Sequence, residues 1–271
     1  MPSFRLTLSY DGTDFAGSQL QPGRRTVQGE LASALTSVDA GTSRVVFAGR
    51  TDRGVHAVGQ VAAITADRWN KPPEALERAL RSKLPSDIGL RSLSGCDPAF
   101  NPRFDAKWRE YRYWIGIGSG DPRIGRYAWL LRQPIDLRRA EEALRWLRGT
   151  HDFATFASGG EGVPWSDRAA RPQGTIRTVI GCDCREIDVS WLSGPSGIRM
   201  VIEFRIVADG FLPQMVRNII GAVVEVGQAR RDPDWVRSVL AAADRRSGPP
   251  AAPAHGVTLW RVGYDDFVDD W

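Results

Sequence analysis

The chain has 271 residues, 42% apolar and 25% charged, enough for one large domain or two of ordinary size and far above the length at which a core becomes hard to bury. It has no uncharged apolar run near the roughly 18 residues of a membrane span, and its three cysteines (Cys96, Cys182, Cys184) and three scattered histidines (His56, His151, His255) exclude a disulfide framework and a structural zinc site. The formal charge of +4 is carried by 33 Arg against 3 Lys; without the four Asp of the closing DDFVDDW the rest stands at +8, a surface suited to phosphates and stacked bases as well as to plain solvation.

The opening MPSFRLTLSY lacks the basic-then-apolar layout of a signal peptide, so a cytoplasmic protein is expected. Residues 4–10 put Phe4, Leu6, Leu8 and Tyr10 on one face, which predicts a half-buried strand. Thr26 caps a predicted helix over 27–38 with Val27, Leu31, Leu35 and Val38 in step. Strands are predicted at 44–48 and 60–65, a helix after Pro72 and Pro73, and a strand at 88–94, in the order β-α-β-β-α-β.

The second half repeats this plan. A strand at 109–117 aligns Tyr111, Tyr113, Ile115 and Ile117, and a helix at 137–148 runs from an Asp136 cap to Gly149. Strands follow at about 175–190 and at 198–207, where Ile198, Met200, Ile202, Phe204 and Ile206 alternate. Helices at 211–226 and from Asp232-Pro233 lead to a strand at 257–264. The expected fold is α+β: a domain over 1–104 and another over 105–271, each an antiparallel sheet backed by helices in a split β-α-β, ferredoxin-like or RNA-recognition-like arrangement. Loops at 157–174 and 247–256 exceed what connections need, and Arg168, Arg171 and Arg177 in or beside the first suit phosphates or a solvated surface.

The densest chemistry lies in 47–56, FAGRTDRGVH. Gly49 and Gly54 permit tight turns, so Arg50, Thr51, Asp52 and Arg53 project from a compact loop. An Asp flanked by arginines stays ionised, available as nucleophile or base but a poor general acid at neutral pH. The same residues also fit an Asp that braces its own turn.

GRTDRGVHA at 49–57 resembles the catalytic motif of the tRNA pseudouridine synthase A family. Tyr10-Asp-Gly-Thr, Thr26-Val-Gln-Gly-Glu-Leu31, Phe104-Asp-Ala, Tyr111-Arg-Tyr113, His151-Asp-Phe153, Phe211-Leu, Met215-Val-Arg-Asn-Ile219, Val226-Gly227 and Ala252-Pro-Ala-His-Gly256 follow in the family's order. The resemblance implies isomerisation of uridine to pseudouridine at positions 38, 39 and 40 of the tRNA anticodon stem-loop. It implies a homodimer, a cleft between the domains, no membrane, and no metal or other cofactor, since the reaction is redox neutral.

By the same resemblance Asp52 is the catalytic nucleophile, Arg217 its cationic partner, and Tyr111 the ring that stacks on the target base. Tyr111 is also a candidate general base, provided its pKa falls well below the usual value of about 10. Arg50, Arg53 and His56 complete the substrate-binding set, although His56, like His151, equally fits a structural hydrogen-bonding role. Attack of Asp52 at C1′, addition to C6 and removal of a sugar proton all need an ionised carboxylate and remain open. Two departures stand out: Gly17-Ser18-Gln19 replaces the family's Gly-Trp-Gln turn, and Phe100-Asn-Pro-Arg103 its Phe-His-Ala-Arg stretch.

A non-catalytic RNA-binding protein is the main alternative, and retention of Asp52, Tyr111 and Arg217 speaks against it. Asp11-Gly-Thr13 suggests an aspartyl phosphotransferase, but Ser9 stands where that chemistry needs an Asp. The G-x-G-x-G at 116–120 is followed by Asp121-Pro122 rather than a clear helix start.

Overall fold

The computed structural model describes residues 2–40, 44–118, 121–158, 174–193 and 197–265. Arg168, Arg171, nearly all of the 157–174 loop, the last two residues of the G-x-G-x-G and the acidic tail beyond Asp265 lie outside them. The fold is α+β, and the chain divides into two compact units, Met1–Trp108 with Thr258–Trp271, and Arg109–Val257.

In the first unit, β1 (Ser3–Tyr10) pairs antiparallel with β3 (His56–Thr65) and β4 (Ile88–Gly95). Its alternation is realised: Phe4, Leu6, Leu8 and Tyr10 are buried. The short β2 (Val45–Phe47) pairs with β3. Helix α1 (Val27–Ser37) starts where Thr26 leaves helical geometry and accepts the Gly29 N–H, and it buries Val27, Leu31, Ala34 and Leu35. Helix α2 (Pro73–Arg81) buries Leu76 and Leu80 but ends before Leu84. Arg25 ties the approach to α1 to the approach to β4, binding Asp87 through two nitrogens and Glu30 through a third while lying over the Phe15 ring.

One irregularity shapes the site. The β1–β3 register shifts between Leu8 and Tyr10: Leu8 faces Gln60, yet Tyr10 faces Ala57, so β3 carries an extra residue there. The shift brings the Gln60 side chain beneath the Tyr10 hydroxyl, 3.4 Å away.

In the second unit, β5 (Trp108–Ile117), β9 (Met200–Ala208), β8 (Ile176–Asp188) and β7 (Gly149–Asp152) follow one another antiparallel, and β6 (Trp129–Leu131) adds a parallel edge to β5. Among the described residues its helices and helical turns are α3 (Pro122–Gly125), α4 (Leu137–Arg145), α5 (Ser190–Ser193), α6 (Met215–Gly227), α7 (Asp234–Ala242) and 3₁₀ turns at Ala154–Phe156, Arg245–Ser247 and Ala254–Gly256.

Four sequence expectations are corrected. Helix α4 ends at Arg145, and Gly149, at φ 98°, opens β7 rather than closing the helix. Helix α6 begins at Met215, not 211, because Pro213 supplies no N–H and Gln214 sits at φ 58°. The strand expected at 198–207 starts at Met200, and its intervening residues are buried too: Glu203 binds Arg112, Arg185 and the Trp114 indole, while Glu110 binds Arg112. A paired, hydrogen-bonded charge can be buried where a lone one cannot. Finally β10 (Val257–Gly263), read as the close of the second half, runs parallel to β3 in the first unit, with Thr258 opposite His56.

Helix α6 is nearly all buried and meets the 250–256 segment at Gly221, where a Cβ would run into the Pro250 carbonyl. Gly221→Ala would gain about 1 kcal/mol of helix propensity against roughly 1–3 kcal/mol of overpacking, and a backbone carbonyl cannot swing aside. We expect a lower urea midpoint; an unchanged or higher one would contradict this packing.

Candidate active site

The 49–56 loop leaves β2 and enters β3, and a second loop, 11–18, lies against it. Gly12 makes this possible, since a Cβ there would collide with the Val55 carbonyl. Its N–H points at His56 Nδ1 at 2.9 Å, and the same nitrogen lies 3.2 Å from Asp11 Oδ1. His56 is 3% exposed and braces the two loops.

Thr51 is held at three atoms. Its N–H donates to Ser18 Oγ at 2.9 Å, its carbonyl accepts the Ser18 N–H at 3.0 Å, and its hydroxyl lies 2.8 Å from the Tyr10 hydroxyl. Gly17, at φ 120°, lets the chain come this close: a Cβ there would sit 2.9 Å from the Thr51 carbonyl oxygen. Beneath, Gln60 Nε2 donates to the Gly49 carbonyl at 2.8 Å and to the Tyr10 hydroxyl. Gly49 thus matters through its carbonyl, whereas Gly54 is the residue with positive φ.

Asp52 follows Thr51 and starts a turn. Its carbonyl accepts the Val55 N–H at 3.1 Å, and Gly54 at φ 79° fills the third position, which in this turn type demands glycine. The Asp52 side chain is exposed, as are those of Arg50 and Arg53, neither of which makes a side-chain hydrogen bond or ion pair to another described residue. A carboxylate is thus presented on a loop whose backbone is fixed on both sides.

In the second unit, Tyr111 stands mid-strand on β5, 8% exposed, with the Phe211 ring edge-on at 4.8 Å. Arg217, in the first turn of α6, is half-buried. Its Nε donates to the Ala252 carbonyl at 2.7 Å, and its own carbonyl accepts the Ala252 N–H at 3.0 Å. This reciprocal pair locks the arginine to the Ala252-Pro-Ala-His-Gly256 segment, itself tied down by the Tyr113 hydroxyl on the Pro253 carbonyl. Gly256 is required there, since a Cβ would enter the Tyr113 ring. Burial holds the His255 imidazole below its usual pKa; a hydrogen bond with the Ala128 backbone opposes the shift and nearby Arg217 adds to it. Burial raises the Tyr113 phenol, with Arg217 pulling the other way.

Burial also pushes the Cys182 thiol up to about 11 and the Cys184 thiol to about 12, so neither is a ready nucleophile. Among the described residues no three His, Cys, Asp or Glu side chains converge as metal ligands. The sequence reading did not assign roles to Ser18, Gln60 or Phe211. For Gln60 the available signal was a polar residue in the apolar run QVAAIT.

A family profile described as tRNA pseudouridine synthase matches residues 7–105 and 143–265. The chain belongs to the tRNA pseudouridine synthase family. Within it, the protein is 40% identical over 273 residues to tRNA pseudouridine synthase A of Geobacillus kaustophilus, an alignment covering 97% of this chain and 94% of that one. Its counterpart from Chloroflexus aurantiacus is 38% identical over 273 residues, covering 100% and 92%. That from Streptomyces avermitilis is 40% identical over 268 residues, covering 96% and 87%.

Burial raises the Tyr10 phenol from 10.0 to about 12, partly offset by its hydrogen bonds to Thr51 and Gln60. A raised folded-state pKa means the fold favours the protonated phenol, so its stabilisation is whole below the unfolded value and fades as pH rises through the folded one. Between pH 10 and 12 the wild type should lose about 2 kcal/mol of unfolding free energy relative to Tyr10→Phe. Parallel urea titrations check this; curves that keep a constant separation would contradict it.

Proposed function

We propose that the protein isomerises uridine to pseudouridine in tRNA, at positions 38 to 40 of the anticodon stem-loop, with Asp52 as the reacting carboxylate. The observation that carries this is the exposed Asp52 carboxylate on a loop held at Thr51 and closed by the Asp52–Val55 turn. Family membership supplies the reaction class, and what the names of the relatives say of tRNA is extended here to this chain.

The reaction breaks the C1′–N1 bond, turns the uracil and joins C5 to C1′; the C5 proton is lost and N1 gains one, so atoms and electrons balance without a redox partner. Attack at C1′, addition to C6 and proton removal from the sugar all start from an ionised carboxylate. A base buried in a helix must first leave its stack, and an extruded base needs a platform and cations for its flanking phosphates. Tyr111, its ring fixed by Phe211, serves as the platform. Arg50 and Arg53, exposed beside Asp52, serve as the phosphate cations. With Arg217 Nε committed to Ala252, its two terminal nitrogens are the ones left to hold the Asp52 carboxylate. His56, buried against Gly12, supports the loop rather than the RNA. The active form we propose is a homodimer acting on tRNA in the cytoplasm, without metal or other cofactor.

Tritium release from uracil-C5-labelled tRNA tests the chemistry. Wild type should release label and Asp52→Asn should not, at matched fold and tRNA affinity. Equal release by both would discard Asp52, and release by neither would favour an RNA-binding protein without activity. With Arg50 and Arg53 each neutralising one phosphate, tRNA affinity should fall about tenfold between 50 and 200 mM salt. Affinity indifferent to salt would contradict a phosphate-gripping site. Tyr111→Phe, which keeps the stacking ring, should retain more activity than Tyr111→Ala; equal losses would point to the hydroxyl instead.

A further inference from the structure

We infer that Ser18, together with Tyr10, is a positioning residue for Asp52, acting through Thr51 and resting on the reading of Asp52 as the reacting carboxylate. Ser18 holds the Thr51 backbone from one side, accepting its N–H through Oγ at 2.9 Å and donating its own N–H to the Thr51 carbonyl at 3.0 Å. Tyr10 holds the Thr51 side chain from another, hydroxyl to hydroxyl at 2.8 Å.

Gln60 Nε2 can only donate, so the Tyr10 oxygen accepts from it, and either hydroxyl can supply the proton shared between Tyr10 and Thr51 Oγ1. With the phenol pushed up to about 12, this link stays intact through the neutral range, and the serine bonds contain no titrating group. Gln60 is committed to the arrangement at a cost, since its Oε1 is buried with no hydrogen-bond partner among the described residues.

These contacts act on placement rather than on RNA binding. Ser18 is 0% exposed and Tyr10 4%, both beneath the loop they hold. Asp52, one residue on, inherits the position of the Thr51 carbonyl through a planar peptide bond. A reacting carboxylate must stay within a few tenths of an ångström of its working position, and a displacement of about 1 Å can cost two orders of magnitude in rate. Losing either hold therefore lowers turnover and leaves tRNA affinity in place. The serine is also where this chain departs from the Gly-Trp-Gln turn, and an indole offers no oxygen to accept the Thr51 N–H.

Steady-state tritium release on C5-labelled tRNA, with tRNA affinity by filter binding and stability by urea unfolding, tests this on Ser18→Ala, Tyr10→Phe, Ser18→Thr and Asp52→Asn. Ser18→Ala and Tyr10→Phe should each lower kcat about tenfold or more, with KM and Kd within about twofold of wild type. Ser18→Thr keeps the accepting oxygen and should recover most of the rate. Should Ser18→Ala not fold, Tyr10→Phe decides, since it removes one hydroxyl and keeps the ring packing. Wild-type kcat in both with Asp52→Asn inactive would overturn the positioning role and leave Asp52 standing. A loss expressed in KM or Kd would overturn it in favour of a binding role, and an Asp52→Asn protein as active as wild type would overturn the reading beneath it.

Discussion

The docking of the 11–18 loop on the 49–56 loop is the constraint on which the candidate site depends. It is a contact of backbone with backbone, permitted because Gly12 has no side chain to strike Val55 and because Gly17 adopts a φ of 120°. Once the loops touch, Gly12 reaches His56, Ser18 reaches Thr51, and Tyr10 at the end of β1 reaches the same threonine. Exposed loops usually sample many conformations. Here the residue before Asp52 has its N–H, carbonyl and hydroxyl all bonded, and the carboxylate is turned outward by a tight turn that only Gly54 can complete. Rigidity comes from strands and glycines, and charge sits at the rigid point.

The second unit meets the same problem with the same means. Arg217 is a long side chain on an apolar helix, and its Nε and carbonyl are both taken by Ala252. The 250–256 segment that carries Ala252 lies close to α6 and β5 because Gly221 and Gly256 leave room for it. Asn218, fully buried, adds a bond to the Phe156 carbonyl and receives one from Arg245, fixing the first turn of α6 from another direction. In each unit one charged residue is aimed by its neighbours' backbone, which tolerates little change, rather than by packing of flexible side chains.

Much of this was legible in the sequence because it is local. The period-two alternation of β1, the Thr26 cap and the 3.6-residue spacing of α1 each depend on residues within a turn or two of one another. The Asp52 loop was visible from its glycines and its flanking arginines. What was not visible depends on partners far along the chain. Ser18 and Thr51 are 33 residues apart and Tyr10 and Gln60 are 50 apart, so Ser18 read as the loss of an aromatic rather than the gain of an acceptor. Gly49 read as a residue that permits a tight turn, although it is its carbonyl that matters. In β9 the alternation was real but incomplete as a guide to burial, since Glu203 and Arg205 are also buried, in ion pairs with strands β5 and β8. Pro213 and Gln214 shortened α6 through backbone geometry that hydrophobic spacing does not report.

The loop that carries Asp52 is tied to the 11–18 loop by hydrogen bonds like those between strands. Amide hydrogen exchange of the folded protein reads this directly, because the Thr51 N–H is bonded to a side chain and the Ser18 N–H to a carbonyl of the facing loop. Both amides should exchange as slowly as those of the β1–β3 ladder, opening only when the first unit unfolds. Exchange of Thr51 and Ser18 at the rate of an unprotected surface loop, with the β1–β3 amides still protected, would show that the two loops part readily and would contradict a preorganised Asp52.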